Sequence, residues 1–208
     1  MSTKNSPEPS ARPTPRVRKS PAERHAEIQD AAAVVALEEG LAAITLRRVA
    51  RQLGVASGLV AHYEPRVEDF VAATFARIAA ADRTEVEQAM AGLDDVALRL
   101  RAVLASSLDS ERLPVTAVWV EAWGLGRRNE ALAAAVREEM DSWQELLRNV
   151  IRDGVRAGVY SAPDPAAVAW QVLGMIDGLN AQALVRWEGV PDRREHFLSA
   201  VEHLLGVS

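Results

Sequence analysis

Residues 44–63 read Ile44-Thr45-Leu46-Arg47-Arg48-Val49-Ala50-Arg51-Gln52-Leu53-Gly54-Val55-Ala56-Ser57-Gly58-Leu59-Val60-Ala61-His62-Tyr63. Leu46, Val49, Ala50 and Leu53 recur at i, i+3, i+4 and i+7, the spacing that gives a helix one apolar face. Thr45 stands where its hydroxyl can cap that helix. Gly54 follows its end and supplies a tight turn, where positive φ is often needed. A second short helix is expected over 57–63, anchored on the first by Val55 and Val60. Arg47, Arg48 and Arg51 then point away from the apolar face, toward solvent or phosphate.

Two helices around a glycine leave Ser57, Gly58, Leu59, Ala61, His62 and Tyr63 free of the local core. Small residues at the start of the second helix let its N-terminus approach a backbone, where N–H groups attract phosphate. Thr45 and Tyr63 carry hydroxyls that can reach phosphate oxygens. Leu59 or Ala61 can touch a thymine methyl, and His62 can bond a base edge or a phosphate. No Arg, Asn or Gln lies in 57–63, so DNA shape is expected to carry much of any specificity. The competing reading is an ordinary helical hairpin inside a bundle, because helix–glycine–helix is a common arrangement.

Outward from this stretch the chain reads as all-α. Its valines are spaced at three and four rather than alternating, so no strand is expected. Residues 1–20 carry Pro7, Pro9, Pro13 and Pro15 among small polar residues; with almost no apolar surface to bury they read as a disordered arm. The arm ends on the basic run Arg16-Val17-Arg18-Lys19 and serves either as a phosphate or minor-groove contact or as a solubilising tail. Helices are expected over 21–39, 46–53, 57–63, 67–90, 94–109, from Pro114, over 130–157 behind Asn129, after the Asp164 cap with Pro165 in the first turn, and behind Asp192 with Glu195 three residues on. The chain divides into the arm 1–20, a domain over 21–66 and a larger helical domain over 67–208. Residues 1–66 hold ten basic and seven acidic side chains and the remainder 14 and 22. A head of net +3 on a body of net −8 suits one end meeting phosphate; a chance asymmetry plus a basic tail is the other reading.

The segment from Glu23 to Phe75 resembles the DNA-binding domain of TetR-type regulators. The features are a first helix ending in Gly40, then Thr45, Val49-Ala50, Gly54-Val55, Gly58 and His62-Tyr63. The resemblance implies a nine-helix all-α fold, with Thr45, Arg47 and Arg48 near phosphates and Ser57 to Tyr63 as the recognition helix. It further implies a C-terminal domain that dimerises and binds a small molecule, a palindromic double-stranded operator, and most often repression. Ser57 to Tyr63 is also similar to the choline-responsive, BetI-type branch. Trp119, Trp123 and the run Asp177-Gly178-Leu179-Asn180 resemble that branch more loosely. Three positions depart from the family pattern. Ala56 stands where a capping residue is usual, and Ser57 is expected to take over. Glu64 replaces an aromatic, and Val67 replaces a phosphate-touching Lys. The last two lower positive charge at the DNA face, for which Arg66 and the arm are expected to compensate.

All five Trp lie beyond residue 118. Trp119 and Trp123, at i, i+4, share a helix face; with Trp143, Trp170, Asp177 and Asn180 they are candidates to line a cavity for a cationic or flat aromatic effector. Trp187 is expected on the same helix as Trp170. Core filling is the plainer reading of each Trp taken singly. Gly174, Gly178 and Ala181 form a small-residue stripe, and each glycine costs a helix about 1 kcal/mol relative to Ala. That stripe, with Phe197 and Val201 of the last helix, is expected to pair with a second copy across a two-fold axis.

Other classes fare worse. Cysteine is absent, which excludes disulfides and thiolate zinc sites and suits a cytoplasmic chain. His25, His62, His196 and His203 are dispersed, so no metal or cofactor is expected. No Ser/His/Asp pattern or phosphate-binding glycine loop suggests an enzyme. No apolar run reaches the roughly 20 residues of a membrane helix. A sensor or adaptor that keeps the fold with weak DNA binding remains the alternative function.

Overall fold

The computed structural model describes residues 19–187, 189 and 193–207. The arm up to Arg18 and the expected cap Asp192 lie outside the described residues. Among the described residues the elements are α1 (Pro21–Glu39), a 3-10 turn (Leu41–Ala43), α2 (Leu46–Leu53), α3 (Ser57–Tyr63), α4 (Val67–Ala91), α5 (Val96–Ser107), a second 3-10 turn (Ser110–Arg112), α6 (Leu113–Gly126), α7 (Glu130–Arg156), α8 (Pro165–Leu184) and α9 (Arg193–Leu204). This is the all-α order expected from the spacing of apolar residues.

Local chemistry sets most of the boundaries. Ser20 and Glu23 close a reciprocal capping box at the start of α1, with Glu23 N–H on Ser20 Oγ at 3.2 Å and Ser20 N–H on Glu23 Oε2 at 2.7 Å. Asn129 Oδ1 accepts from Leu132 N–H at 3.0 Å to open α7, and Asp164 Oδ1 accepts from Ala166 N–H at 3.0 Å to open α8. The fifth helix is shorter than expected. Asp95 takes the cap position, accepting from Ala97 N–H at 2.7 Å, which leaves Asp94 outside. At the other end Asp109 accepts from Glu111 N–H at 3.0 Å and begins the 3-10 turn instead of continuing α5.

Two apolar cores organise the chain. The first gathers Ile28, Ala32 and Ala36 of α1, Val49 and Ala50 of α2, Val60 of α3, and Phe70, Phe75 and Ile78 of α4, and reaches Val118 and Ala122 of α6 and Leu132 of α7. The second joins Val86 of α4 with Leu100 and Leu104 of α5, Leu147 and Ile151 of α7, Val172 and Ile176 of α8, and Phe197 and Val201 of α9. Helix α4 therefore runs through both, and Trp119 packs against both. No helix among the described residues is long and apolar enough to cross a membrane.

Candidate nucleic-acid interface and effector cavity

The turn between α2 and α3 forms as its residues dictate. Thr45 Oγ1 accepts from Arg48 N–H at 3.1 Å and caps α2. Gly54 sits in the left-handed region at φ 65°, and Val55 N–H reaches back to Ala50 O at 3.0 Å. Val60 is fully buried and fixes α3 against α2. Ser57, Gly58 and His62 are exposed, and Leu59, Ala61 and Tyr63 half-buried. The Tyr63 ring is oriented by its neighbours, stacked on His25 at a centroid distance of 6.1 Å and met edge-on by His62 at 5.2 Å. Arg47 is exposed, and Arg66 is exposed while pairing with Asp69.

Three expectations for this face change. Ser57 does not take over capping: Ala56 is the cap residue of α3, and no side chain among the described residues caps its first turn. Arg48, expected near phosphate, is only 15% exposed. Its guanidinium is committed to the Glu39 carboxylate, with Nε at 2.8 Å, and to Gln52 Oε1 at 2.9 Å. Glu64 does not place a free carboxylate on the DNA face. It is buried, and its Oε1 accepts from Gln29 Nε2 at 2.6 Å and meets His25 Nε2 at 2.8 Å. Those partners lie in α1, 35 and 39 residues upstream, so nothing local to Glu64 announces them.

A cavity of about 70 Å³ lies in the body between α4, α5, α6, α7 and α8. Val115, Thr116, Trp119, Val120 and Trp123 of α6 form one wall. Met140 and Trp143 come from α7, Leu173, Ile176, Asp177 and Asn180 from α8, and Asp82, Ser107 and Arg112 close the rim. The Trp119 and Trp123 rings are 6.2 Å apart and tilted by 50°, and Trp119 meets the Phe75 edge at 4.9 Å. Arg112 is paired with Asp82, also donating to Asp82 O at 3.1 Å and to Ser106 Oγ at 2.9 Å; its burial lowers its pKa. Asp177 has no ion-pair partner among the described residues, and burial pushes its carboxyl up to about 6. Asn180 Nδ2 donates to Ser107 O at 2.9 Å. The Trp123 indole N–H is buried without an acceptor among the described residues.

Five of the six expected cavity residues thus come together. Trp170 does not: it is 66% exposed on α8. The buried face of α8 runs through Val168, Ala169, Val172 and Ile176, and Trp170 steps off it to line an outer groove with Gly174, His196, Ser199, Ala200 and His203. Trp187 lies past the end of α8 and is also exposed. Asp82, Ser107, Arg112, Thr116 and Met140 were not singled out from the sequence. Arg112 and Asp82 meet across 30 residues, and only the packing of α4 against the second 3-10 turn joins them.

The small-residue stripe is open. Gly174 and Gly178 are exposed, and a Cβ on either would meet nothing within 4 Å. Ala181 is half-buried. Phe197 and Val201, expected at the dimer interface, are instead buried in the chain's own second core. The face that α9 leaves outward carries His196, Ser199, Ala200 and His203.

Residues 96–206 match the family described as BetI-type transcriptional repressor, C-terminal. The HTH-type transcriptional regulator BetI of Rhizobium meliloti (strain 1021) is 29% identical over 167 residues, covering 79% of either chain. Its counterpart from Paraburkholderia xenovorans (strain LB400) is 27% identical, covering 75% of this chain and 79% of its own. Two solved structures share the fold. One is a transcriptional regulator from Saccharomonospora viridis in complex with choline (TM-score 0.77, 21% identity, 88% of this chain and 97% of that one). The other is a TetR-family regulator from a Rhodococcus species (TM-score 0.75, 22% identity, 88% and 99%).

Proposed function

The chain belongs to the TetR-type transcriptional regulators and carries their BetI-type C-terminal domain, and on that premise we propose that it is a homodimeric repressor whose operator grip is released by a small cation bound among Trp119, Trp123 and Trp143. The observation that carries this reading is the chemistry of one cavity: three indoles and a carboxylate without a cationic partner. Asp82 and Arg112 offset each other, so Asp177 is the unbalanced charge. Indole faces attract cations by about 0.5–2 kcal/mol each when water is excluded. The unpartnered Trp123 N–H suits an acceptor, such as a hydroxyl oxygen, elsewhere on the same molecule.

The cavity is smaller than the roughly 150 Å³ that holds benzene in an engineered apolar core. An effector of more than a few heavy atoms therefore has to push its walls outward. One of those walls, α6, packs on α1 and on the 3-10 turn Leu41–Ala43 of the head, and its Trp119 meets Phe75 of α4. In a dimer the two recognition helices must sit about 34–36 Å apart to enter successive major grooves. Wall movement that tilts the heads takes them out of that register, provided the effector favours the tilted form by several kcal/mol. On the DNA side, Thr45, Arg47, Ser57, Gly58, Leu59, Ala61, His62, Tyr63 and Arg66 form the contact face, with Arg48 acting through the α2 framework. The stripe Gly174, Gly178 and Ala181 supplies the dimer contact.

The test is a mobility shift with DNA from the region upstream of the gene, at several salt concentrations, with and without choline and tetramethylammonium. A discrete complex that weakens steeply with salt and dissociates with either cation supports the reading. DNA binding without any cation response would remove the effector assignment. No complex at any salt would favour the sensor or adaptor function.

A further inference from the structure

We infer that Glu121 is the positioning residue through which the cavity wall sets the pose of the DNA-reading head. The inference rests on the reading of the cavity as the effector site. Glu121 lies on α6 between Trp119 and Trp123, the two indoles that face the cavity. It does not join them there. Its Oε2 accepts from the backbone N–H of Leu41 at 2.7 Å, across 80 residues of chain. Leu41 opens the 3-10 turn between α1 and α2, and its side chain is buried in the head core. The first N–H of such a turn has no partner within it; here a carboxylate supplies one through a charge-assisted bond.

The neighbouring residue is shaped around the same carboxylate. Gly40 adopts φ 91°, and a Cβ there would occupy the space taken by the Glu121 carboxylate oxygens. The end of α1 and the approach to α2 are thus both fixed by one side chain of the cavity wall. The other contacts of that wall with the first core, through Val118, Ala122 and the edge-on pair Trp119 and Phe75, are apolar; such contacts can slide as α6 turns. A short hydrogen bond to a buried N–H is directional and cannot follow a sliding helix without dragging the turn or breaking. Glu121 converts displacement of α6 into movement of the segment that leads into Thr45 and α2.

The test needs neither the effector nor the operator. The chain has no cysteine, so Arg51→Cys on α2 and Arg156→Cys at the end of α7 accept nitroxide labels cleanly, and dilution with unlabelled chain leaves one labelled protomer per particle. Leu173→Trp fills the cavity from α8 and presses on α6. The Arg51–Arg156 label distance should shift in this background. It should return at least halfway to the unfilled value when Glu121→Ala or Glu121→Leu removes the acceptor, the second keeping an aliphatic stem if the first folds poorly. Glu121→Gln, which retains a carbonyl oxygen for the Leu41 N–H, should restore the shift. An equal shift with and without the acceptor would overturn the role of Glu121 alone. No shift from Leu173→Trp with Glu121 intact would overturn the cavity-to-head coupling and this inference with it.

Discussion

Asp177→Asn should make the protein more stable at neutral pH while impairing cation binding. Burial moves the Asp177 carboxyl from 3.8 to about 6, a gap of about two pH units, and each unit corresponds to about 1.4 kcal/mol. Keeping this carboxylate ionised inside the fold therefore costs up to about 3 kcal/mol. Between about pH 4 and pH 6 the native state holds a proton that the unfolded chain has released, so stability falls as pH rises through that window. Below it, both states are protonated and the aspartate carries no penalty. Above it the penalty is complete. The Asn variant lacks the titration, so its advantage should be near zero at pH 4 and approach about 3 kcal/mol at pH 7.5, or roughly 6–12 °C in Tm for a chain of this length. Urea unfolding followed by circular dichroism at pH 4, 5, 6 and 7.5 measures the difference. An advantage that does not change with pH, or a variant less stable at pH 7.5, would refute the reasoning. A bound cation favours the carboxylate, so the affinity for tetramethylammonium should rise with pH through about 6 in the parent and lose that dependence in Asp177→Asn. A gain of stability together with a loss of cation affinity in Asp177→Asn would be an ordinary exchange of stability for function.

Three further outcomes follow from side-chain placement. Arg47→Ala should lower operator affinity and reduce the salt slope by about one, as expected for loss of one phosphate contact; Arg48→Ala should change the slope less, because its guanidinium is held by Glu39 and Gln52, and equal slopes for the two variants would contradict that distinction. Trp123→Phe removes a buried N–H that has no acceptor among the described residues, so thermal unfolding should change by less than about 1–2 kcal/mol. The same variant should bind choline more weakly than tetramethylammonium relative to the parent, and a uniform loss for both would argue against an acceptor on the effector. Gly178→Leu projects a side chain from an exposed position where nothing in the chain opposes it; light scattering should report monomer with unchanged helicity, and an intact dimer would remove the stripe from the interface.

The helices and the α2–α3 hairpin were legible because their determinants are local. Thr45, Asn129 and Asp164 cap within three residues of themselves. Gly54 needs only its own positive φ, and the spacing of Leu46, Val49, Ala50 and Leu53 defines a face without reference to any other helix. Trp119 and Trp123 were legible as a pair for the same reason. What the spacing leaves open is which partner a face meets. Phe197 and Val201 share an apolar face of α9 in either case; only packing shows that this face closes the chain's own core while His196, Ser199, Ala200 and His203 remain outward. Trp170 reads like the other indoles until α8 is seated and turns it away from the cavity. Glu64 reads as a charge at the DNA face, yet His25 and Gln29, supplied by α1, draw it inward. Local sequence thus determined the helices and the turn chemistry of the α2–α3 hairpin. The contents of the cavity, the fate of individual charges and the Glu121 link to Leu41 were decided by tertiary structure alone, because each depends on groups tens of residues apart that meet only when the helices pack.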